Sequence, residues 1–348
     1  MMQFIKPGIN IDFTGIRVKA YSVSLSLIII SIVSLVIHGG PNYGIDFSGG
    51  TLIQVKFSQN ITIEKIRLGL NQMGVKNASV QNFGEAGNSE FLIRTSNAEL
   101  SGDGLAQSVT EALKKSTGVE PEIRRIEMVG SQVGKDLRTQ ALLAIFYSVL
   151  FIAIYISGRF EMKWLASGVI AGALMSLVYF LAIFKIGIPI LITAAMIVTL
   201  GLFWYMNLKY AMGAIVALIH DVIITVGVFS LLDLEISLQI IAALLTIIGY
   251  SLNDTIIVFD RIRENLVHAN KISMEKIINK SINETLSRTV LTSSLTLLPL
   301  FALFFLGGEI IHNFAFAMII GIIVGTYSSI FVASPILLES GKKNILNK

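Results

Sequence analysis

The chain has 348 residues, of which 53% are hydrophobic and only 14% charged, whereas a soluble domain carries about 25% charged residues. This composition largely excludes a soluble globular enzyme and indicates that a lipid bilayer surrounds much of the chain. The net charge of +4 gives no indication of nucleic acid binding, and the lack of cysteine excludes disulfides, thiolate zinc sites and thiol nucleophiles.

Apolar segments long enough to cross a bilayer occur eight times along the chain. A membrane-spanning helix needs about 20 predominantly apolar residues, and we predict spans at 20–37, 139–157, 164–184, 188–206, 210–232, 237–259, 288–306 and 313–337. The first span is short and rich in serine. Because no small-residue cleavage site follows residues 38–41, we interpret it as an uncleaved anchor rather than a signal peptide.

The distribution of basic residues predicts the orientation of these spans. The short loops and flanks on one side contain fourteen lysines and arginines, whereas the short loops on the other side contain Lys185 alone. Since Lys and Arg collect in cytoplasmic loops, we expect a multi-pass protein whose N-terminal segment 1–19 and C-terminal tail 338–348 are both cytoplasmic. The long segment 38–138 is then external, on the periplasmic side.

Residues 38–138 have ordinary polar composition and enough length for one small hydrophobic core. Their periodicity predicts strands at 51–57, 77–83, 89–95 and 121–128 and helices at 62–73 and 104–116, with a hairpin turn at 84–88. This βαββαβ order is that of the ferredoxin-like split unit. The segment has no cluster of His, Asp and Glu at metal spacing and no nucleophile motif, so we predict a docking or scaffold module with no enzymatic activity, metal or cofactor.

Residues 260–287 are predicted to form a cytoplasmic amphipathic loop. In its second half, apolar residues recur at four-residue steps and charged residues lie between them. The apolar residues are Met274, Ile278, Ile282 and Leu286, and the charged ones are Lys276, Lys280 and Glu284. This pattern is typical of a helix lying on the membrane headgroups, and a connector that docks a partner has the same pattern.

Three charged residues lie inside predicted spans, where an ionised side chain costs at least about 2.5–3.5 kcal/mol. Asp221 lies near the middle of the fifth span, Asp254 lies in the sixth, and Arg288 begins the seventh. Polar neighbours accompany the last two, namely Tyr250, Ser251 and Asn253 in the sixth span and Thr292 and Ser293 in the seventh. Such groups must face a protein interior or a wet cavity.

Two interpretations of these charges compete. A carboxylate that alternately pairs with Arg288 and is released changes its protonation with conformation, which is the chemistry of a proton relay. The candidate relay residues are Asp254, Arg288, Asp221 and Asn253. In the alternative, the same groups form a static polar clamp between helices, and for Asp221 a simple hydrogen-bonding role between helices competes most strongly.

Two glycine pairs with a spacing of four residues suit close helix contact. They are Gly168 with Gly172 and Gly321 with Gly325. The motif alone is weakly specific, because glycine is common in membrane helices.

Five segments with distinctive residues occur at 44–51 (GIDFSGGT), 220–225 (HDVIIT), 249–255 (GYSLNDT), 260–265 (DRIREN) and 288–293 (RTVLTS). Together and in this order they resemble the SecF family, subunits of the bacterial SecD/SecF protein-translocase complex. The resemblance covers nearly the whole chain. It implies a polytopic α-helical protein of the resistance-nodulation-division (RND) superfamily in the bacterial cytoplasmic (inner) membrane, with an external α+β domain after its first transmembrane helix.

The resemblance also implies a function in protein export. Family members pair with SecD, work with the SecYEG channel and a YajC-like protein, and use the proton-motive force to help pull exported polypeptide chains out on the far side. The residues matching those tied to proton passage are Asp254 and Arg288. A stand-alone proton-coupled exporter of small molecules or lipids is the alternative, because the superfamily fold does not fix the cargo.

One departure from the family concerns the number of spans. The family usually has six, and this chain has about 46 additional residues between Arg159 and Lys209, which contain the third and fourth spans. We expect them to form a helical hairpin at 164–206. Because the hairpin returns to the side on which it starts, the topology of the following spans is preserved.

Overall fold

The computed structural model describes residues 9–75, 78–83, 89–95, 104–184, 187–268 and 272–342. It consists mainly of helices, with one small sheet after the first helix. In chain order the elements are α1 (Arg17–Ile37), α2 (Ile45–Ser48), β1 (Gly50–Lys56), α3 (Ile63–Gln72), β2 (Ser79–Asn82), β3 (Glu90–Thr95), α4 (Leu105–Thr117), β4 (Glu122–Val129), α5 (Ser131–Glu161), α6 (Trp164–Ile183), α7 (Ile188–Tyr205), α8 (Lys209–Leu231), α9 (Leu238–Val267), α10 (Met274–Leu306), α11 (Glu309–Ser328), a π-helix (Ser329–Ala333) and α12 (Ser334–Lys342).

Eight helical segments within the described ranges are long and apolar enough to cross a membrane, as predicted. Seven of them are α1 and α5 to α10, and the eighth is Ile311–Glu339, which continues from α11 through the π-helix into α12. Several are longer than the predicted spans: α5 begins at Ser131 and α10 at Met274. Hydropathy marks only the part of a helix that lies in lipid, whereas backbone hydrogen bonding continues beyond it.

The predicted amphipathic loop at 260–287 is not a separate element. Residues 260–267 complete α9, and residues 274–287 are the first turns of α10. The apolar side chains Ile278 and Ile282 are buried in the helix bundle instead of lying on headgroups. The sequence pattern identified the apolar face correctly, but protein covers that face.

The N-terminal segment lies against these first turns of α10. The backbone N–H of Phe13 donates to Asn279 Oδ1 at 2.8 Å. The Arg17 guanidinium, at the start of α1, forms an ion pair with Glu275 at 2.6 Å. The beginning of α10 is therefore held to the beginning of α1.

The small domain between α1 and α5 has the predicted βαββαβ order. Its four strands form one antiparallel sheet in the order β2-β3-β1-β4. Alternate residues of β1 and β3 point to one face, where Ile53, Val55 and Ile93 are buried against Ile66 of α3 and Val109 of α4. The predicted hairpin turn at 84–88 lies outside the described residues.

The segment of residues 42–50, called the GG segment here because it ends in Gly49-Gly50, fastens this domain to the α8–α9 connection. The backbone N–H of Ile236 donates to the Asn42 carbonyl at 2.7 Å, and the N–H of Gly44 donates to the Ile236 carbonyl at 3.0 Å. The two chains thus form a short parallel bridge.

Side chains reinforce this attachment. Asp46 Oδ2 accepts a hydrogen bond from the backbone N–H of Leu238 at 2.9 Å, at the first turn of α9. Arg94 of β3 forms an ion pair with Glu235, and both side chains are largely buried. Burial lowers the pKa of the Arg94 guanidinium, so the charge of Glu235 offsets a real desolvation cost. The sheet is therefore attached to the start of α9.

The additional hairpin consists of α6 and α7 and lies against α5. Phe146 and Leu150 of α5 form a buried cluster with apolar residues of both helices. Ser167 donates a hydrogen bond to Ser157 at 2.6 Å. The predicted turn residues Lys185 and Ile186 lie outside the described residues.

The two glycine pairs have different surroundings. A Cβ atom added at Gly321 would lie 2.3 Å from Ile247 Cδ1, and one added at Gly325 would lie 2.8 Å from Ser251 Cβ. These two glycines allow α11 to approach α9 closely. At Gly168 and Gly172, an added Cβ would meet nothing within 4 Å, so this pair makes no close helix contact with the described residues.

Candidate functional site

Asp221 lies in α8 and is only 1% exposed. Three donors surround its carboxylate. Ser251 of α9 donates to Oδ2 at 2.5 Å and Ser328 of α11 donates to the same oxygen at 2.8 Å. The imidazole Nδ1 of His220 lies 2.9 Å from Oδ1. A buried carboxylate with this many donors is well satisfied.

The same network reaches α1 through His220. Its Nε2 atom lies 3.2 Å from the Ser24 hydroxyl, which in turn lies 3.1 Å from the Tyr327 hydroxyl. Tyr327 donates to the backbone carbonyl of Ala20 at 2.8 Å. Four helices, α1, α8, α9 and α11, therefore meet at one chain of hydrogen bonds.

Asp254 lies in α9, and its surroundings are poorer in donors although it is also 1% exposed. Its Oδ2 accepts one long hydrogen bond, 3.5 Å, from Ser293 of α10, and Ser293 also shares a 2.7 Å hydrogen bond with Thr326 of α11. The Oδ1 atom has no hydrogen-bond partner among the described residues, and the same holds for the buried hydroxyl of Thr289. This incomplete satisfaction leaves Asp254 free to take a proton or a further donor.

The predicted pairing of Asp254 with Arg288 is not present. Arg288 is close enough to act on Asp254 electrostatically, yet it makes no ion pair with any acid of the described residues. Its side chain is exposed instead. The prediction is of a pair that forms and is released, so an unpaired Arg288 does not contradict it, and the alternation stays a prediction.

Arg288 faces a polar cleft of about 590 Å³ between α5, α9 and α10. Ion pairs form part of its wall, Arg159 with Asp260 at 2.7 Å and Arg261 with Glu284 at 2.6 Å. The full lining is Tyr155, Arg159, Asn253, Ile256, Ile257, Asp260, Arg261, Glu264, Glu284, Thr285 and Arg288. The polar side chains of this cleft therefore reach close to the level of Asp254 along α9.

The remaining predicted polar residues divide between these sites. Asn253 is exposed in the cleft, because neighbours on a helix point about 100° apart, and so it does not join Asp254 in the interior. Tyr250 donates to Thr296 at 3.1 Å and connects α9 with α10. Among the described residues, the Thr292 hydroxyl donates only to carbonyls of its own helix.

Several residues of the network were missed by the sequence reasoning. Ser24, Tyr327 and Ser328 complete the Asp221 network, and Ser329 in the π-helix contacts Thr255 at 3.0 Å. The serine-rich first span contained a signal for Ser24. The buried residues of α1 are all small, namely Ala20, Ser24, Ser31 and Ser34. The π-helix left no sequence signal, although such turns often occur at functional sites.

Two family models match the chain. Residues 108–202 and 181–343 match the family described as protein export membrane protein SecD/SecF, C-terminal. Residues 34–61 match the SecD/SecF GG motif. The first family matches in two overlapping pieces, and the overlap at 181–202 falls inside the hairpin formed by α6 and α7.

Two relatives are similar to the chain over nearly their whole length. The protein translocase subunit SecF of Thermodesulfovibrio yellowstonii is 39% identical over 344 residues, which cover 97% of each chain. SecF of Vibrio alginolyticus is 41% identical over 342 residues, covering 98% of this chain and 93% of the relative. The crystal structure of SecDF, a translocon-associated membrane protein from Thermus thermophilus, matches with a TM-score of 0.75 and 32% identity, covering 99% of this chain but 40% of that longer chain.

Proposed function

The chain belongs to the SecF family of protein export membrane proteins, and on this premise we propose that it pairs with a SecD subunit and uses the proton-motive force to assist export through SecYEG. A YajC-like protein is a further partner in this proposal. The observation that carries the proton step is Asp254, a buried carboxyl with one oxygen lacking a partner among the described residues. A carboxyl held in this way responds to a proton more readily than one already satisfied by three donors.

Access from water supports the proposal. Asn253 and Arg288 are exposed in the polar cleft, while Asp254 lies next to Asn253 on the interior side of α9. The orientation predicted from the basic residues places this cleft on the cytoplasmic side. In this proposal, a proton that leaves Asp254 has a short path to water in the cleft. The charge of Arg288 acts on the carboxyl from the same cleft.

The outward face of α9 and α10 supports pairing with SecD. Asn253, Arg288 and Ser294 are exposed on this face, although they lie in membrane-spanning helices. Polar and charged groups at membrane depth require a protein or a wet cavity around them. A second subunit that covers this face and brings an acid to Arg288 meets the requirement.

The cleft does not favour the alternative of a stand-alone exporter. Its lining is mostly charged or polar, and two of its arginines, Arg159 and Arg261, form ion pairs with acids of the wall. Apolar molecules or lipid tails require a predominantly apolar site. Export of polypeptide by a larger complex therefore fits the site better.

Substitution of Asp254 tests the proton step. Asp254→Asn keeps the shape of the side chain but cannot carry the proton, so we expect normal insertion and partner binding with loss of proton-driven export. Asp254→Glu still titrates and should be the milder change. The measurement is completion of translocation in membrane vesicles, with and without a proton-motive force, at equal abundance of each variant. Full proton-dependent activity of Asp254→Asn would leave only the static clamp.

A further inference from the structure

The His220–Asp221 pair is a second buried titratable group that the Asp254 step does not use. Both residues are at most 2% exposed, and their hydrogen bonds lead to Ser24, Ser251 and Ser328. Asp254 is bonded to Ser293 instead. A histidine is the side chain whose charge ordinarily changes near neutral pH, so its burial beside a carboxylate in a membrane protein calls for a reason.

The hydrogen bonds define where a proton can bind. The Ser251 and Ser328 hydroxyls both donate to one oxygen of the Asp221 carboxylate, which accepts only, and Nδ1 of His220 lies 2.9 Å from the other oxygen. The Nδ1 atom of His220 must then keep its hydrogen in either charge state. The remaining ring atom, Nε2, is the position at which this pair gains or loses a proton.

The proton on Nε2 determines the direction of the hydrogen bonds to α1. When Nε2 is protonated, it donates to Ser24, Ser24 donates to Tyr327, and Tyr327 donates to the Ala20 carbonyl at 2.8 Å. Every contact in the chain then contains one hydrogen. When Nε2 is bare, it accepts the Ser24 hydrogen.

In that second state Tyr327 has a single hydrogen for two acceptors, the Ser24 hydroxyl and the Ala20 carbonyl. Both acceptors belong to α1, so loss of the proton removes one of the hydrogen bonds that hold α1 to α11. The neutral imidazole also leaves the Asp221 charge without its counter-charge.

We propose that Nε2 of His220 is a second proton-binding site, and that its proton controls how firmly α1 is held against α8 and α11. The inference rests on the proposed function in that the bound proton takes part in the same export cycle. The titratable groups of the described elements around the pair are Tyr327, which contacts Ser24, and Asp254, which lies one turn beyond Ser251 on α9.

The location of α1 makes this control useful. Further small contacts hold α1 to α8: Ser34 and Ser230 share a 2.8 Å hydrogen bond, and an added Cβ at Gly227 would lie 2.1 Å from Ser31 Cβ. Only a short connection separates α1 from the GG segment and its sheet. When α1 is held less firmly, the connection from α1 to the external domain is therefore also less constrained.

Nitrogen NMR of the full chain in lipid nanodiscs tests the site directly. With ¹⁵N-labelled histidine, four residues contribute signals, and the His220→Gln variant assigns one of them. We expect Nδ1 of His220 to stay protonated while Nε2 gains its proton as the pH is lowered. An Nε2 atom whose protonation does not respond to pH would overturn the proposal.

Spin-label distances test the coupling to α1. Labels on Val36→Cys and Leu231→Cys occupy exposed positions of α1 and α8, and the chain has no native cysteine. We expect the mean distance to lengthen when Nε2 loses its proton. The matched control is His38→Gln, which removes the other histidine of the α1–α8 contact and should retain the pH response.

Two further variants keep the test decisive if His220→Gln does not fold. Ser24→Ala and Tyr327→Phe should leave the Nε2 titration intact and abolish the pH dependence of the α1–α8 distance. An unchanged distance response in both would refute the coupling. Neither measurement requires export, and both should persist in Asp254→Asn, so failure of this inference is distinct from failure of the proposed function.

Discussion

At the scale of single residues, the two buried aspartates differ in how completely they are satisfied. Asp221 has three donors, whereas Asp254 has one long hydrogen bond and an oxygen with no partner in the described part of the chain. Completely satisfied groups stabilise one arrangement, and incompletely satisfied groups are ready to change. We therefore expect substitutions at the two positions to have different consequences.

Substitution of Arg288 tests its proposed pairing with an acid of the SecD subunit. Arg288→Ala should reduce proton-dependent export strongly, because the charge facing the partner is lost. Arg288→Lys should be impaired less, since it keeps the charge but not the planar fork. Translocation in vesicles at equal abundance is the measurement. Lys280→Ala removes another exposed cation of the same helix, and its activity should match the unsubstituted chain.

The sequence located these residues but not their partners. A charged residue within an apolar run is visible to any hydropathy analysis, which is why Asp221, Asp254 and Arg288 were all identified. Partners on other helices depend on helix rotation and rotamers, for which a single sequence has no local signal. The three-dimensional structure was needed to identify Ser293 as the hydrogen-bond partner of Asp254 and His220 as a partner of Asp221.

At the scale of helices, the contact between α9 and α11 depends on glycine. The near approach at Gly321 and Gly325 brings Ser251 of α9 beside Ser328 of α11, and both serines donate to Asp221. The close helix contact and the hydrogen bonds of the buried carboxylate are therefore parts of one arrangement.

Substitution of these glycines should destabilise the bundle. Gly321→Ala and Gly325→Ala insert a methyl group where Ile247 and Ser251 already lie, at a cost of about 1–3 kcal/mol. Thermal unfolding of the purified protein in detergent should show a lower midpoint for both. The control is Gly172→Ala, which meets no described atom within 4 Å. An equal effect of all three would contradict the predicted contact.

The ion pair between Arg94 and Glu235 connects the sheet with the start of α9. Breaking a largely buried pair leaves one charge without its partner, and we expect Arg94→Ala or Glu235→Ala to cost about 1–3 kcal/mol. A double-mutant cycle by thermal unfolding isolates the coupling. Exchange of the two charges, Arg94→Glu with Glu235→Arg, should recover part of the loss. Strict additivity of the single effects would show that the pair contributes nothing.

At the scale of the whole molecule, the span number and the βαββαβ order were predictable because hydropathy and strand periodicity are local properties. The full length of α10 was not predictable, because its first turns are polar on one side and precede the continuous apolar stretch. The attachment at residues 42–50 was also missed: it joins the chain to Ile236, and such distant pairings have no local pattern.

The orientation of the additional hairpin remains a prediction with a direct test. Lys185→Cys should react with a membrane-impermeant thiol reagent added from outside, because the turn after α6 is predicted to be external. Asn207→Cys, at the opposite end of α7, should react only after the cells are opened. Labelling of both positions from the cytoplasmic side alone would refute the eight-span topology.

The uninterrupted course of α10 has a mechanical consequence. Between Met274 and Pro299 the helix contains no proline and no glycine. This stretch therefore lacks the residues at which helices commonly kink, and we treat it as rigid. With Ser293 as the pivot, Glu275 lies about 27 Å away along the axis, and a tilt of about 5° displaces it by about 2 Å. That displacement is sufficient to break the 2.6 Å contact with Arg17. A tilt of α10 about Ser293, which contacts Asp254, would therefore also displace the contact with the base of α1.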